Sequence, residues 1–556
     1  MKLDLRIAIT ALWLIAQIPL TSAATYYFSS SGNDTNSGTS AAAPWRSLSQ
    51  IYFKSAGIGG RTPFQPGDSI LLRAGDTFEQ TISCFSAGTS NEPITIGRYG
   101  AGANPIIHAD NPSVTWLAVS NHTGVYSATS AFPSTIVRVY DTNGTQYTRL
   151  DKGADTLDVW LGKFQTNNWG FTFDTPSLIY IRTPDDSPPP QMRLFQYSAV
   201  GIAADYLVVE NLDIRRSYCG IVANSARGFV IRSNSIQDTL SMGIFCGRHC
   251  SYGEIAGNVI TRGGWTLLYF QTGGNNWAHH NTISYSSATV LGIAVNGKER
   301  CGIGLERGTN NLVEHNTISH VDMSCVDYWL EVSTTVRFNY GFHAGGAAYP
   351  HGTGLQVHHN IFNVDGGRGF GGAHSHDPTK SPAPDAGINL IYNNVVYNFV
   401  NYGIYSGTNA SSGIQFRNNI LVTASTNAAL ALLHDGMNAE QNLYFCTAGS
   451  PKGWYWNNTK YPTLAAFQAA SGQEAHALYA DPQFVSDNPV TAADFKLRST
   501  SPGINAGQDL KAAGLIPPSQ EYKDYRGTLI PQGFRPEIGA YEIPAPDPPT
   551  KVRPTE

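Results

Sequence analysis

An asparagine recurs at a nearly constant interval through the middle of this 556-residue chain, each time inside a short phrase such as VIRSNSI or LVEHNTI. Most intervals are 21 to 25 residues, and two are about one and a half times longer. A fixed period of this length is typical of a solenoid. Apolar residues alternate on both sides of each asparagine, which indicates a strand, a turn and a second strand. The recurring residues are Asn211, Asn234, Asn258, Asn281, Asn316, Asn339, Asn360, Asn394, Asn419 and Asn442.

This pattern predicts an all-β fold, a right-handed parallel β-helix solenoid with one coil per period. Asparagine tolerates the left-handed bend between two strands, and stacked asparagine side chains can hydrogen-bond one another along the coils. Charged residues make up only 14% of the chain and 56 residues are glycine, which favours strands and turns over helices. The two long intervals predict loops that project from the coils, at 285–302 and 363–388.

The rhythm breaks in places that divide the chain into parts. Between 112 and 198, segments such as TGVYSAT and STIVRVYDTNGTQY predict antiparallel hairpins and therefore an inserted β-rich subdomain. YPTLAAFQAASG predicts a short helix that ends near Gly472. The other predicted parts are an N-terminal cap with the first coils at 25–111, regular coils at 199–445, a C-terminal cap region at 446–545 and a disordered tail at 546–556.

The first residues indicate export. Lys2 and Arg6 precede a mostly apolar run at 7–20, and small residues follow this run up to Ala24. This arrangement predicts a secretory signal peptide at 1–24, since the apolar run is too short to span a bilayer comfortably. We therefore expect a secreted protein, extracellular or periplasmic, without a transmembrane segment.

Cysteine content and charge give further expectations. Seven cysteines fit an oxidising compartment. Cys301 and Cys325 lie 15 and 14 residues before the next recurring asparagine, so we expect them to be neighbours on adjacent coils. Cys246 and Cys250 form a second candidate pair, and one cysteine must stay unpaired within the chain. The net charge of −5 provides no basic surface for nucleic acid, and we expect a monomer.

The two ends of the chain carry a more specific resemblance. YYFSSSGNDTNSGTSAAAPWRSL, PGDSILLRAGDTF and NEPITIGRYG stand near the start, and DPQF, DFKLRSTSPGINAG and RPEIGAYE stand near the end. Together with the recurring asparagine, they resemble secreted, pectate-lyase-like right-handed parallel β-helix proteins that act on polysaccharides. The resemblance implies the fold, export and a polysaccharide or oligosaccharide partner. It leaves the reaction open, because this scaffold is shared by hydrolases, lyases, epimerases and non-catalytic proteins.

The period also predicts which candidate catalytic residues lie close together, because residues at similar distances before their recurring asparagine stack on adjacent coils. Glu306 on one coil and Asp327 and Glu331 on the next lie at similar distances before their asparagine. Adjacent coils are about 4.8 Å apart, and strand alternation places Asp327, Trp329 and Glu331 on one face. Glycoside hydrolysis needs an acid and a second carboxylate, and Trp329 could stack on a sugar. The alternative is a solvated face with ion pairs, for instance with Arg307.

A cationic set and a histidine cluster offer other chemistry. Lys298, Arg300, Arg307 and His374 could neutralise a uronate carboxylate in a lyase or C5-epimerase, a reaction in which calcium could take part. HSHD at 374–377 could bind a metal, although no third ligand follows from the spacing, or it could contact substrate.

We therefore predict a glycoside hydrolase that needs no cofactor and no metal, with catalytic Glu306, Asp327 and Glu331. The alternatives are a uronate lyase or epimerase and a non-catalytic carbohydrate-binding protein. The predicted substrate-binding residues are Lys298, Arg300, Arg307, Trp329, Arg368, His374, His376 and Asp377.

Overall fold

A stack of parallel coils forms the body of the protein in the computed structural model, and its strands form three long sheets. The predicted parallel β-helix is confirmed. The structure describes residues 23–111, 115–129, 136–141, 143–150, 156–163, 170–174, 178–295, 299–371, 388–406 and 413–543. The predicted signal peptide, apart from its last two residues, and the predicted tail lie outside these residues. In the part of the chain that is described, no helix is long and apolar enough to cross a membrane.

The first and second sheets have thirteen strands each, and successive coils pair in parallel. The first sheet consists of Thr25–Phe28, Ser69–Arg73, Ile94–Tyr99, Leu207–Glu210, Val230–Arg232, Glu254–Ala256, Trp277–His279, Leu312–Glu314, Thr335–Arg337, Gln356–His358, Asn389–Tyr392, Ile414–Arg417 and Met437–Glu440. The second sheet consists of Thr77–Phe78, Ile106–His108, Asp213–Ser217, Ser235–Thr239, Val259–Gly263, Thr282–Ser286, Thr317–Val321, Tyr340–Ala344, Ile361–Asn363, Val395–Tyr397, Ile420–Thr423, Leu443–Cys446 and Leu478–Tyr479.

The third sheet closes each coil and carries the candidate site on its outer face. Its inward side chains, such as Ile303, Leu305 and Tyr328, are fully buried in the core that runs along the coils. Its strands are Ile82–Cys84, Ser198–Ile202, Cys219–Ala223, Ile244–Cys246, Leu268–Gly274, Ile303–Thr309, Val326–Trp329, Glu331–Val332, Ala348–Tyr349 and Gly352–Thr353. In the last coils a fourth sheet follows, formed by Tyr402–Tyr405, Ala429–Leu433, Gly453–Trp456 and the antiparallel Thr459–Tyr461.

Two antiparallel sheets and short helices depart from the coils. The described strands of these two sheets lie between residues 110 and 196, where the period is interrupted. One sheet contains Asp110–Asn111, Ile136–Asp141, Gln146–Tyr147 and Met192–Gln196, and the other contains Leu117–Ala118, Val125–Thr129, Gly170–Asp174 and Leu178–Arg182. A hairpin of Thr289–Val290 and Ile293–Ala294 projects from the first long loop. Among the described residues the helices are Ser49–Ser55, Leu157–Gly162 and Leu464–Ser471, with 3₁₀ turns at Ile58–Gly60 and Ala492–Phe495. The helix predicted to end near Gly472 is confirmed, and Gly472 adopts the left-handed conformation of a C-terminal cap.

Nine of the recurring asparagines form one continuous ladder, from Asn234 to Asn442. In each step the side-chain Nδ2 donates to Oδ1 of the next asparagine at 2.9–3.1 Å. The two long intervals make the same bond as the short ones, so their extra residues leave the coil as loops. Asn442 ends the ladder on the buried carboxylate of Glu474, with a distance of 2.7 Å.

Two details of the predicted ladder are wrong. The left-handed residue is the one before each asparagine, for example Ser233 or His315, and the asparagine itself is not left-handed in the nine ladder positions. Asn211 is the exception: its own φ is 56°, and Leu212 occupies the ladder position by donating its N–H to Asn234. The ladder side chain therefore bridges coils beside the bend, and a neighbouring residue makes the bend.

A second, shorter set of bridges runs five residues before the ladder. Asn276 Nδ2 donates to Asn311 Oδ1 at 3.1 Å, and the N–H of Gly253 donates to Asn276 at 3.0 Å. Asn389 plays the same part at the later coils, where it accepts from the N–H of Leu355. These side chains are buried and satisfy backbone groups that would otherwise be unpaired.

The cysteines all lie within the described residues, and all seven are buried and free. Cys301 and Cys325 are near neighbours on adjacent coils, as the spacing predicts, since the strands that follow them pair from Ile303 and Val326 onward. Neither they nor Cys246 and Cys250 form a disulfide.

Candidate active site on the third sheet

The candidate site lies where Gly304 leaves a gap in the outer face of the third sheet. Along one row the register places Tyr269 beside Gly304 and Gly304 beside Asp327. Along the next row, two residues further on, Glu306 lies beside Trp329. Alternate residues of a strand point to the same side, so these four side chains share the outer face of the sheet.

Gly304 shapes the site by its lack of a side chain. A Cβ placed on this residue would lie 2.7 Å from Cδ2 of Tyr269 and 3.0 Å from Cγ2 of Thr266. The tyrosine ring therefore lies against the glycine, and a pocket of about 150 Å³ opens there. Its lining residues are Thr266, Tyr269, Glu299, Gly304, Leu305, Glu306, Asp327 and Trp329.

Glu306 is held between a phenol and a guanidinium. The Tyr269 hydroxyl donates a hydrogen bond to Oε2, and Arg307 pairs with Oε1. The carboxylate is 16% exposed, whereas the Arg307 side chain is 53% exposed. Burial and the bond to Glu306 raise the pKa of Tyr269, so its hydroxyl stays protonated as a donor. These two contacts orient Glu306 and compensate its negative charge.

Asp327 has a different electrostatic environment from Glu306. Burial, followed by the negative charge of Glu299, raises the pKa of Asp327 to about 7. Its one close polar side-chain neighbour within the described residues is Cys301, whose Sγ lies 3.9 Å from Oδ2. No cation is paired with this carboxylate in the part of the chain that the structure describes. Asp327 can therefore carry a proton near neutral pH, as a general acid must.

Glu299 is a third carboxylate of the pocket and was not among the predicted catalytic residues. It lies on the first long loop, and its backbone carbonyl accepts a hydrogen bond of 2.9 Å from Oγ1 of Thr266. The side chain is exposed, yet its charge contributes to the raised pKa of both Asp327 and Tyr269. Glu299 therefore stands on the rim of the pocket as an electrostatic neighbour of Asp327.

The expectation that Glu331 shares one face with Asp327 and Trp329 is wrong. Glu331 is fully buried and accepts hydrogen bonds from the N–H of Gly308 at 2.6 Å, from Asn311 Nδ2 at 3.1 Å and from Thr334 Oγ1 at 2.6 Å. The cause is Leu330, whose φ of 57° interrupts the strand and reverses the alternation after Trp329. Glu331 is therefore a structural carboxylate of the coil interior.

The described cations of the predicted set do not line the pocket. Arg307 pairs with Glu306, and Arg300 pairs with Asp322 at 2.5 Å. Arg368 lies close to the hydroxyls of Tyr349 and Tyr402, and Tyr349 is the register partner of Asp327 on the following coil. Lys298, His374, His376 and Asp377 lie outside the described residues.

Trp329 is the predicted aromatic residue that the structure places at the site. It is 39% exposed and lines the pocket next to Glu306. Tyr269, which is not among the predicted residues, supplies a second ring. Two carboxylates in unlike environments and two aromatic rings around one pocket are suited to bind a sugar ring and to act on its glycosidic bond.

Comparison with known proteins gives one family match and one curated relative. Residues 197–377 match the family model for a right-handed β-helix region. A lacto-N-biosidase of Bifidobacterium longum subsp. longum is 41% identical over 208 residues, a match that covers 35% of this chain and 12% of that protein. The chain thus spans about an eighth of the curated relative that it matches.

Solved structures with low sequence identity also align along most of the chain. A lacto-N-biosidase of Eubacterium ramulus has 14% identity and a TM-score of 0.41, with 85% of this chain and 69% of that chain covered. Pectate lyase Pel9A has 14% identity and a TM-score of 0.42, with 94% and 97% covered.

Proposed function

We propose that this chain is a secreted glycoside hydrolase that cleaves glycosidic bonds of a polysaccharide or oligosaccharide. The observation that carries the proposal is the convergence of Glu306 and Asp327 on one pocket, where Glu306 is paired with Arg307 and Asp327 has a raised pKa and no paired cation among the described residues. The partial similarity to a lacto-N-biosidase agrees with a glycosidase and does not by itself supply the substrate.

In the proposed reaction Asp327 is the general acid. Its raised pKa keeps a proton on the carboxyl group near neutral pH, and that proton is transferred to the glycosidic oxygen as the bond to the anomeric carbon breaks. Glu306, held by Tyr269 and Arg307, is the carboxylate that stabilises the positive charge on the anomeric carbon and acts as nucleophile or water-activating base. Trp329 offers its exposed face for stacking on a sugar ring.

The two acids are further apart along the sheet than the spacing of about 4.8 Å between adjacent coils. Glu306 is opposite Trp329, and Asp327 is opposite Gly304, so the two acids are diagonal neighbours. With strands about 4.8 Å apart and a rise of about 3.3 Å per residue, their Cα atoms are roughly 8 Å apart. This spacing leaves room for a sugar between the two side chains.

The test is a substrate screen followed by two variants. The panel contains neutral and uronate polysaccharides and nitrophenyl glycosides, including the lacto-N-bioside, and is assayed for new reducing ends and for the ultraviolet absorbance of unsaturated products. For a hydrolase we expect new reducing ends without the ultraviolet absorbance of an unsaturated product. Glu306→Gln and Asp327→Asn should each lower kcat by about a thousandfold, with Glu92→Gln as an exposed control.

The same screen decides between the proposed hydrolase and its alternatives. An unsaturated product from a uronate polymer would replace the hydrolase with a lyase, and binding without turnover would indicate a carbohydrate-binding protein. We propose that no cofactor is required, so that chelation by EDTA leaves kcat unchanged, whereas loss of activity on chelation and its recovery with calcium would contradict this. Residues 1–24 are proposed as a signal peptide, and N-terminal sequencing of the exported protein tests the cleavage site.

A further inference from the structure

A second and larger cavity adjoins the candidate active site. It has a volume of about 490 Å³, against about 150 Å³ for the pocket at Gly304, and the two share Glu299 as a common wall. Ligand sites for molecules larger than one small ring usually occupy about 300–1,000 Å³. The pocket at Gly304 is below that range by itself, whereas the two cavities together lie within it.

Three separate parts of the chain meet around this cavity. The antiparallel insert contributes Arg138, Tyr140 and Gln146, and the coils contribute Tyr218 and Trp265. The first long loop contributes Ala294, Val295 and Glu299. The cavity therefore exists only because the insert folds back against the coils beside the candidate catalytic residues.

An apolar cluster fixes these parts in place. Tyr140 of the insert, Phe195 at its end, Leu240 of a coil and Val290 and Ile293 of the hairpin pack together and are buried. The Tyr140 hydroxyl also donates to Oε1 of Gln146 at 3.2 Å. The polar residues that line the cavity are thus carried on a rigid support, which lowers the free-energy cost of ordering them around a ligand.

The lining has the chemistry that recognises a sugar ring. The indole of Trp265 stacks with Tyr269 at 6.3 Å between ring centroids, and the guanidinium of Arg138 lies 5.3 Å from the centre of the Tyr218 ring. Nε1 of Trp265 is buried and has no hydrogen-bond partner among the described residues, which is uncommon for an indole N–H.

The charges of the lining favour a neutral ligand. Arg138 on one wall is opposed by Glu299 on another, so the cavity offers one cation and one anion. A uronate or sulfated unit would gain from the first and be repelled by the second, whereas a neutral sugar can hydrogen-bond both.

We propose that this cavity is a second sugar subsite, in which Arg138 and Gln146 of the insert and Trp265 of the coils bind the neutral unit next to the one in the Gly304 pocket. This inference rests on the proposed glycoside hydrolase function. It makes the insert a determinant of specificity, because the insert sets which glycan unit is accepted beside the scissile bond.

The test compares glycosides that differ by one sugar unit. Arg138→Ala, Gln146→Ala and Trp265→Phe are assayed on nitrophenyl glycosides carrying one, two or three neutral units of the xylose, glucose and lacto-N-biose series. Each variant should lower kcat/KM by about tenfold for the longer glycoside, as expected for one lost polar contact. The shorter glycoside should keep its kcat/KM within about twofold, because it does not reach the lost contact. Arg149→Ala, in the insert but away from the cavity lining, is the matched control, and thermal midpoints verify folding.

Equal losses for short and long glycosides, or none for either, would overturn the subsite. If wild-type protein cleaves no glycoside, the proposed function fails, and calorimetric binding of xylohexaose, cellohexaose and lacto-N-tetraose tests the subsite separately. Binding that weakens in Arg138→Ala and Gln146→Ala but not in Arg149→Ala would retain the subsite. Equal binding by all variants, or none by the wild-type protein, would overturn it, and tighter binding of hexagalacturonate than of the neutral hexamers would contradict its preference for neutral sugars.

Discussion

The hydroxyl of Tyr269 hydrogen-bonds the carboxylate of Glu306, although the register partner of Tyr269 is Gly304, two residues before that acid. The ring can take this diagonal path because Gly304 places no side chain beneath it. A glycine in the middle of a strand is unfavourable for the strand itself, and its presence here makes space for the contact. The orientation of the Glu306 carboxylate thus depends on the absence of a side chain at Gly304 of the same strand.

Gly304→Ala should therefore lower activity more than stability. The added Cβ would lie 2.7 Å from Cδ2 of Tyr269, so the ring must move and its bond to Glu306 is lost. Displacement of an orienting group by about 1 Å can cost about a hundredfold in rate, and we expect a loss of kcat of that order. The matched control is Gly97→Ala, another strand glycine, where the nearest atom would be 3.4 Å away. Steady-state kinetics and thermal midpoints of both variants test this, and wild-type kcat in Gly304→Ala would contradict it.

The pH dependence of the reaction should report the acid form of Asp327. Because the pKa of Asp327 is raised to about 7, the required proton is present below that pH, and kcat should fall as the pH rises through about 7. Glu299→Gln removes one of the two causes of the raised pKa, so the descending limb should move to lower pH. A pH–rate profile measures the shift, with Glu92→Gln as control. An unchanged limb, or one at higher pH, would show that Asp327 is not the group observed.

Glu331→Gln should reduce stability and leave the chemistry of the folded protein intact. Glu331 accepts three hydrogen bonds in the interior of a coil, and a glutamine amide would place a donor against at least one of these donors. An unsatisfied buried donor costs about 1–3 kcal/mol. Urea unfolding and kcat are measured for both variants. Glu331→Gln should lose stability and keep kcat, whereas Glu306→Gln should keep stability and lose kcat. A Glu331→Gln protein with wild-type stability and no activity would contradict this prediction and indicate a catalytic role for Glu331.

Asn316→Ala should be more destabilising than a change at Asn211. The Asn316 side chain donates to Ala278 O and Asn339 Oδ1, both at 3.0 Å, and accepts from Asn281. Its loss leaves several buried groups unpaired, at a cost of about 3 kcal/mol or more. Asn211→Gly keeps the left-handed backbone outside the ladder and should change the free energy of unfolding by less than about 1 kcal/mol. Comparable losses in the two variants, measured by denaturant unfolding, would contradict the assignment.

The sequence predicts the coils because their period is local and repeated, and it places Glu306 and Asp327 on one face because both lie at a regular offset from the ladder. It fails at Glu331 because one left-handed residue, Leu330, reverses the alternation on which the argument depends. Left-handed conformations of ordinary side chains have little sequence signal. The second row of bridges has a sequence signal that could have predicted it, because Asn276, Asn311 and Asn389 each precede a ladder asparagine by five residues.

The site residues that the argument missed depend on three-dimensional approach. Glu299 lies on a long loop that does not follow the repeat period. Its proximity to Asp327 therefore depends on the three-dimensional path of that loop and cannot be read from the sequence. Tyr269 and Gly304 did carry a signal, because a large and a small residue occupy equivalent positions in neighbouring coils. Arg138 and Gln146 belong to the insert, and no spacing along the chain relates the insert to the coils beside it.

The C-terminal segment changes how a stack of coils can come apart. Tyr340 donates to Val490 O at 2.6 Å, Tyr522 to Asn393 at 2.8 Å, and Asn418 to Gln508 O at 2.9 Å, so residues after 480 run back along several earlier coils. In a simple repeat array each unit meets only its neighbours, and the end units can fray one at a time. Here residues between about 490 and 522 fasten the coils between about 340 and 445 to one another. That half of the solenoid should melt in a single cooperative step, and it can lock only after the residues up to about 522 have been synthesised.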